Sequence, residues 1–311
     1  MSKKMRGNIM LLITAAIWGS AFVAQKSGMD HVGPFLFNGT RMLIAVITLT
    51  PAIAFFDAQR RKEPGYIEPS AEDKKKERKL VLIGGGIVGA VLFIASSFQQ
   101  VGMVWTTAGK AGFVTALYMV LVPILSIFFG KRPRAVTWPC VALGAIGLFL
   151  LCVPKDEGFS GINKGDIIML GSALCFAMHI LVIDHYSPLM DGVRLSRMQF
   201  LTAGALSMLA VLLGFDAKSG YFFEMDALIS CAVPILYAGV LSAGVGYTLQ
   251  VVAQKDTDPT VASLLMSLES VFAVISGAII LGEQMGLREI IGCVLMFAAI
   301  IIIQLPEKKD K

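Results

Sequence analysis

Charge is what this sequence has least of. Only 16% of its 311 residues are Asp, Glu, Lys or Arg, against ~25% in a soluble domain. No H-E-x-x-H, G-x-S-x-G or Walker sequence occurs in it, so the corresponding protease, hydrolase and nucleotide chemistries are excluded. ATP-driven work would need a separate subunit. The five cysteines (Cys140, Cys152, Cys175, Cys231, Cys293) are odd in number, form no C-x-x-C pair and sit in or beside apolar runs. They read as small hydrophobes, and no cofactor, metal or disulfide framework is expected. Gly84, Gly86 and Gly89 match G-x-G-x-x-G, but no strand precedes them, and close helix approach explains small residues better. Aromatic–basic interleaving is missing too. The net charge of +5 is therefore no nucleic-acid footprint, and no nucleic-acid partner is expected.

What fills the space is apolar. The chain is 56% hydrophobic with a mean hydropathy of +0.73, and the excess is gathered into runs near the ~20 residues that cross a ~30 Å hydrocarbon core. The reading is an all-α membrane protein with ten transmembrane helices, multi-pass in the cell (cytoplasmic) membrane, with the lipid bilayer as its surroundings. The spans are Asn8–Ser27, Pro34–Phe56, Leu80–Met103, Thr106–Gly130, Ala135–Val153, Gly165–His185, Val193–Gly214, Ala227–Ala253, Pro259–Gly282 and Gly286–Leu305. The first follows Lys3, Lys4 and Arg6 as a signal peptide would, but its length and the missing cleavage site keep it as a span. With the N-terminus cytoplasmic, the inner segments hold 20 of the 27 Lys and Arg residues. The positive-inside rule then puts both termini in the cytoplasm. Residues 57–79, with KKKERK, read as a solvated cytoplasmic linker, and 306–311 as a cytoplasmic tail.

The chain also repeats itself. Leu36–Ala45 aligns with Arg194–Ala203 at an offset of 158, which places Arg41 on Gln199 and Trp18 on Phe176. Tyr118 meets Glu269 at 151, and Gly130–Lys131 meets Gly282–Glu283 at 152. Residues 8–153 and 165–305 are thus two five-span repeats. Five is odd, so the second enters the membrane inverted, a transporter architecture with its site at the midplane between halves.

Two five-span halves, AAIWGSAF at Ala15–Phe22, Arg41 in the second span and SLESVFA…LGE over Ser267–Glu283 resemble the EamA family of the drug/metabolite transporter superfamily. The resemblance covers nearly the whole chain. It implies a non-enzymatic carrier of a small metabolite, an amino acid or related compound first among candidates, and export. Two positions depart from the pattern. Glu269 is followed by Ser270 where Glu-Pro is usual, so a helix bend is expected to be missing. Lys131 stands where an acid ends the second half.

Five side chains are candidates for the substrate site: Trp18, Arg41, Tyr118, His179 and Glu269. Glu269 stands ~15 Å along a helix that Asp258 caps and Pro259 starts. A charge at that depth costs at least ~2.5–3.5 kcal/mol on an insertion scale. It faces a cavity or a partner, and can take up and release a proton as that cavity dries and wets, or else it only fixes helix packing. Trp18 lies too deep for an interfacial belt and needs a partner for its indole N–H, in a cavity wall or between helices. Arg41 offers a carboxylate or phosphate donor, or is a structural pair or a snorkelling side chain. His179 relays a proton, binds substrate or is a satisfied core histidine. Ser96, Ser97, Gln99, Gln100, Tyr247, Gln250 and Ser267 are weaker, the glutamines fitting gates or interfaces near span ends. Pro123 is a bend in the fourth span, and Asp184 and Lys110 read as solvated. A membrane enzyme on a lipid-linked substrate and a non-transporting sensor or scaffold are the competing readings.

Overall fold

The structure is a computed structural model, and it describes residues 2–106, 108–153, 163–281 and 286–305. Among these residues the regular structure is helical throughout. Among the described residues nine helices are long and apolar enough to cross a membrane, and Thr137–Cys152 is a shorter apolar helix. Large apolar side chains such as Ile47, Phe128, Leu212 and Val233 point outward. Lipid rather than water is the solvent there, while the interior packs apolar side chains such as Phe37, Leu92 and Phe200 with buried polar ones such as Ser96, Gln100 and Gln199. The chain is a multi-pass membrane protein.

Helix α1 (Lys3–Gly28) is capped by Ser2, and α2 (Pro34–Arg60) starts on a proline whose missing N–H costs nothing at that position. Helix α3 (Ala71–Met103) follows a connection of only ten residues, 61–70. The expected linker at 57–79 is therefore mostly helix, since α2 and α3 extend into it from either side. The next span is broken into α4 (Ala108–Ala116) and α5 (Tyr118–Phe128). Pro123, the expected bend, lies inside α5, and the interruption falls six residues earlier, at Leu117. Helix α6 (Thr137–Cys152) ends the first half.

In the second half α7 (Lys164–Tyr186) carries a reciprocal Asn163–Asp166 capping box, and Asp191 caps α8 (Gly192–Leu212). After short α9 (Phe215–Lys218) and α10 (Met225–Ser230), the eighth span is assembled from α11 (Ala232–Leu236), a π-helical stretch (Tyr237–Tyr247) and α12 (Thr248–Gln254). Sequence reading took it as one helix. The ninth is broken into α13 (Pro259–Met266) and α14 (Glu269–Leu281), capped by Asp258 as expected. The helix is interrupted at Ser267 and Leu268, just ahead of the position where the Glu-Pro pattern has its proline. Ser270 N–H bonds back only to Ser267 O, 3.2 Å away, which tightens the turn in front of Glu269. Helix α15 (Leu287–Gln304) closes the fold. Gly282–Glu283 and 306–311 lie outside the described residues.

Glycines set the close crossings. A Cβ on Gly147 would lie 2.7 Å from Gly292 O and one on Gly292 would lie 2.6 Å from Gly147 O, so α6 and α15 meet backbone to backbone. Helix α1 runs antiparallel to the eighth span, with Gly7 beside Ala253, Thr14 bonded to Gly246 O and Trp18 to Ser242 O. Helix α3 runs likewise against α7, with Ser172 bonded to Ala95 O and Gly102 against Gly165. One end of the bundle collects Lys3, Arg6, Asp57, Arg60, Asp191, Lys255 and Asp256 around a cavity of about 590 Å³. There Asp184, expected in solvent, pairs with Lys131. Near the opposite end a cavity of about 540 Å³ is lined almost wholly by apolar residues, among them Phe35, Phe93, Phe98, Leu213 and Phe215. Beside it, burial pushes the Asp216 carboxyl above its ordinary value, against two backbone N–H donors that pull it down.

Candidate functional site

The two helix breaks face each other. Tyr118 opens α5 and Glu269 opens α14, and the Tyr118 hydroxyl donates to Glu269 Oε1 at 3.1 Å. Both side chains are buried. At both interruptions the backbone stays hydrogen-bonded, Leu117 N–H to Val114 O and Leu268 N–H to Leu265 O, each tightened to an i→i−3 turn.

A cavity lies where they meet. Trp18, Phe22 and Gln25 of α1 line it with Arg41 of α2, Gln99 of α3, Thr115, Tyr118, Phe176, Ser242, Tyr247 and Glu269. Trp18, Phe22 and Gln25 fall at i, i+4 and i+7, one face of a helix. The Trp18 indole N–H donates to Ser242 O at 3.1 Å, and the ring lies 4.5 Å from that of Tyr247. Thr14 donates to Gly246 O at 3.1 Å. The π-helical stretch thus offers two carbonyls to α1 side chains. The central space measures about 30 Å³, room for a water or two. Small-molecule sites run to ~300–1,000 Å³. This conformation is closed on its centre.

The charges in the cavity do not neutralise one another. Arg41 donates from Nε to Asn38 Oδ1 (2.9 Å) and from Nη1 to Gln25 Oε1 (2.7 Å), while Nη2 has no hydrogen-bond partner. It is 2% exposed, so it does not snorkel, and no carboxylate pairs with it among the described residues. A buried polar atom left unmatched costs ~1–3 kcal/mol, more when charged. Glu269 likewise has a neutral phenol as its side-chain partner. One guanidinium and one carboxyl line the same space, each with spare hydrogen-bonding capacity.

Of the five expected residues, Trp18, Arg41, Tyr118 and Glu269 come together here. His179 does not line the cavity. Its Nε2 meets Gln199 Oε1 at 3.0 Å behind Tyr247, whose ring centre is 5.9 Å away. Gln99, expected at a gate or interface, lies in the central wall and donates to Thr115 Oγ1 at 3.3 Å. Phe22, Gln25, Thr115 and Ser242 are not among the expected site residues, and Phe176 is expected only as the repeat partner of Trp18. The α1 face periodicity could have found the first two. The π-helical stretch that presents Ser242 leaves no sequence signal.

Residues 5–153 and 163–305 match the EamA-like transporter family. An uncharacterised transporter of Archaeoglobus fulgidus is 30% identical over 308 residues, 97% of this chain and 87% of the relative. The threonine/homoserine exporter RhtA of Escherichia coli is 26% identical over 280 residues, 89% and 83% of the two chains. A crystal structure sharing 17% identity superposes with a TM-score of 0.74 over 96% of both chains, a likeness of fold.

Proposed function

The chain belongs to the EamA-like transporter family of the drug/metabolite transporter superfamily, and from that premise we propose a secondary carrier that exchanges a small zwitterion, an amino acid or close relative, for a proton across the cytoplasmic membrane. The observation that carries this is the pair of incompletely matched charges in one closed cavity. Arg41, held by Gln25 and Asn38, receives the substrate carboxylate on its free Nη2. Glu269 receives the ammonium group, and Trp18, Phe22, Phe176 and Tyr247 enclose the side chain. Substrate and proton compete for Glu269, so loading one releases the other.

The architecture we infer is ten crossings in two inverted five-helix repeats, 8–153 and 165–305, with both termini cytoplasmic. Helix packing supports it. Exchanging each span with the one five places on maps α3–α7 onto the eighth span with α1, and α3–α8 onto the eighth span with α2. It also maps α14–α1 onto α4–α7, and all of these pairs pack. The cation-rich end is then cytoplasmic. Alternating access opens the central cavity first to one end cavity and then to the other. Export is the direction, by analogy with what RhtA is named for.

The test is counterflow in proteoliposomes. Vesicles preloaded with threonine, then with each other amino acid in turn, are given the same compound in labelled form outside. Saturable accumulation of at least one zwitterion, with half-saturation much weakened in Arg41→Gln, is expected. Accumulation of none, with an active transport control, would overturn the substrate class.

A further inference from the structure

Two ends of the helix pair α2–α8 are fastened in related ways. The tripeptide Phe56-Asp57-Ala58 closes α2, and Phe215-Asp216-Ala217 follows α8, 159 residues on. Asp57 reaches across to α8, where Arg194 Nη2 donates to its two oxygens at 2.9 and 2.8 Å. Asp216 reaches across to α2, where the Phe35 and Leu36 N–H groups donate to its two oxygens at 3.1 and 2.9 Å. Leu36 and Arg194 are aligned residues, 158 apart. Each acid therefore grips the same position on the opposite helix.

The helix starts explain why the grips differ. Asp191 caps its own helix, its Oδ1 accepting from Val193 N and Arg194 N. The residue aligned with it is Gly33, which has no side chain, and a Cβ there would fall inside the Asp216 carboxylate. The cap of α2 is thus supplied by the far end of α8 rather than by α2 itself. Each acid also adjoins one large cavity. Phe56 and Asp57 line the one at the cation-rich end, and Phe35 and Phe215 line the apolar one.

We propose that Asp57 and Asp216 are the two latches of alternating access. Asp57–Arg194 holds the cation-rich end shut, and Asp216 on the start of α2 holds the other. Opening either end separates α2 from α8 there while the opposite fastening stays made, which gives two discrete arrangements rather than a continuum. The inference rests on the carrier reading above.

Accessibility of the central cavity tests it. Ser242→Cys, in the full chain with the five native cysteines replaced by alanine, is labelled with a membrane-impermeant maleimide in right-side-out and inside-out vesicles. Asp216→Ala raises labelling several-fold from the Asp216 side and lowers it from the other, and Asp57→Ala does the reverse. Gly33→Asp combined with Asp216→Ala gives α2 its own cap, which keeps the protein folded, and still shifts labelling to the Asp216 side. If that cis cap restores the original balance, Asp216 only stabilises a helix and the latch is wrong. A protein with both acids intact that labels from both sides, with no variant moving the balance, also overturns the latch. One that labels from a single side in every variant overturns alternating access itself.

Discussion

In the inverted-repeat architecture we propose, the two halves of the molecule share a chassis and divide the chemistry. Where the first half has Trp18, Arg41 and Tyr118, the aligned residues of the second are Phe176, Gln199 and Glu269. Trp18 and Phe176 both line the cavity, and Tyr118 and Glu269 bond to each other. Arg41 and Gln199 have parted. Arg41 faces the central space, while Gln199 is turned to His179. In that architecture duplication supplies a symmetric cradle, and the asymmetric ligand we propose needs it filled unequally, with the cation from one half and the acid from the other. The largest effect should come from removing that inequality at the acid. Glu269→Gln keeps shape and hydrogen bonding but cannot release a proton. Uptake driven by a pH gradient should fall to background while counterflow persists, and a variant that still answers the gradient would strip Glu269 of its role.

Arg41→Gln makes the two halves alike at the other charge. Losing a charge-assisted bond of ~1.5–3 kcal/mol should weaken half-saturation by ~10–100-fold. Arg41→Lys should recover only part of this, because the guanidinium fork is held at two of its nitrogens. Equal losses for both variants would mean Arg41 acts as a point charge.

The chassis itself should behave symmetrically. Gly147 and Gly292 each press on the carbonyl of the other, so Gly147→Ala and Gly292→Ala should destabilise alike, by ~1–3 kcal/mol. Thermal unfolding in detergent measures both, and a clearly unequal pair would contradict reciprocal packing. The smallest effect is expected from Tyr118→Phe. It removes one hydrogen bond from Glu269, ~0.5–1.5 kcal/mol, and should change transport only a few-fold, through the pH dependence more than the maximum rate.

Much of this could be read in the chain, and the gaps have physical causes. Apolar runs of membrane length gave the helices because lipid leaves backbone few choices. Arg41 and Glu269 stood out because a charge at that depth demands a reason. The breaks at Leu117 and Ser267–Leu268 carry neither glycine nor a proline at the turn, so composition did not reveal them. His179 sat at the right depth but on the wrong side of Tyr247, a matter of helix rotation that depth cannot resolve. Asp57 falls in the expected solvated linker, and Asp216 lies just past the end of a span with nothing in the sequence to mark it. Their partners lie 137 and 180 or more residues away in sequence, and only the fold brings them together.

The central claim is that substrate and proton share Glu269. Proteoliposomes carrying a pH-sensitive dye inside, with no imposed gradient, should show a lumenal pH change when a transported zwitterion is added, and none with Glu269→Gln. Transport of that compound at full rate with the lumenal pH unmoved would contradict the account.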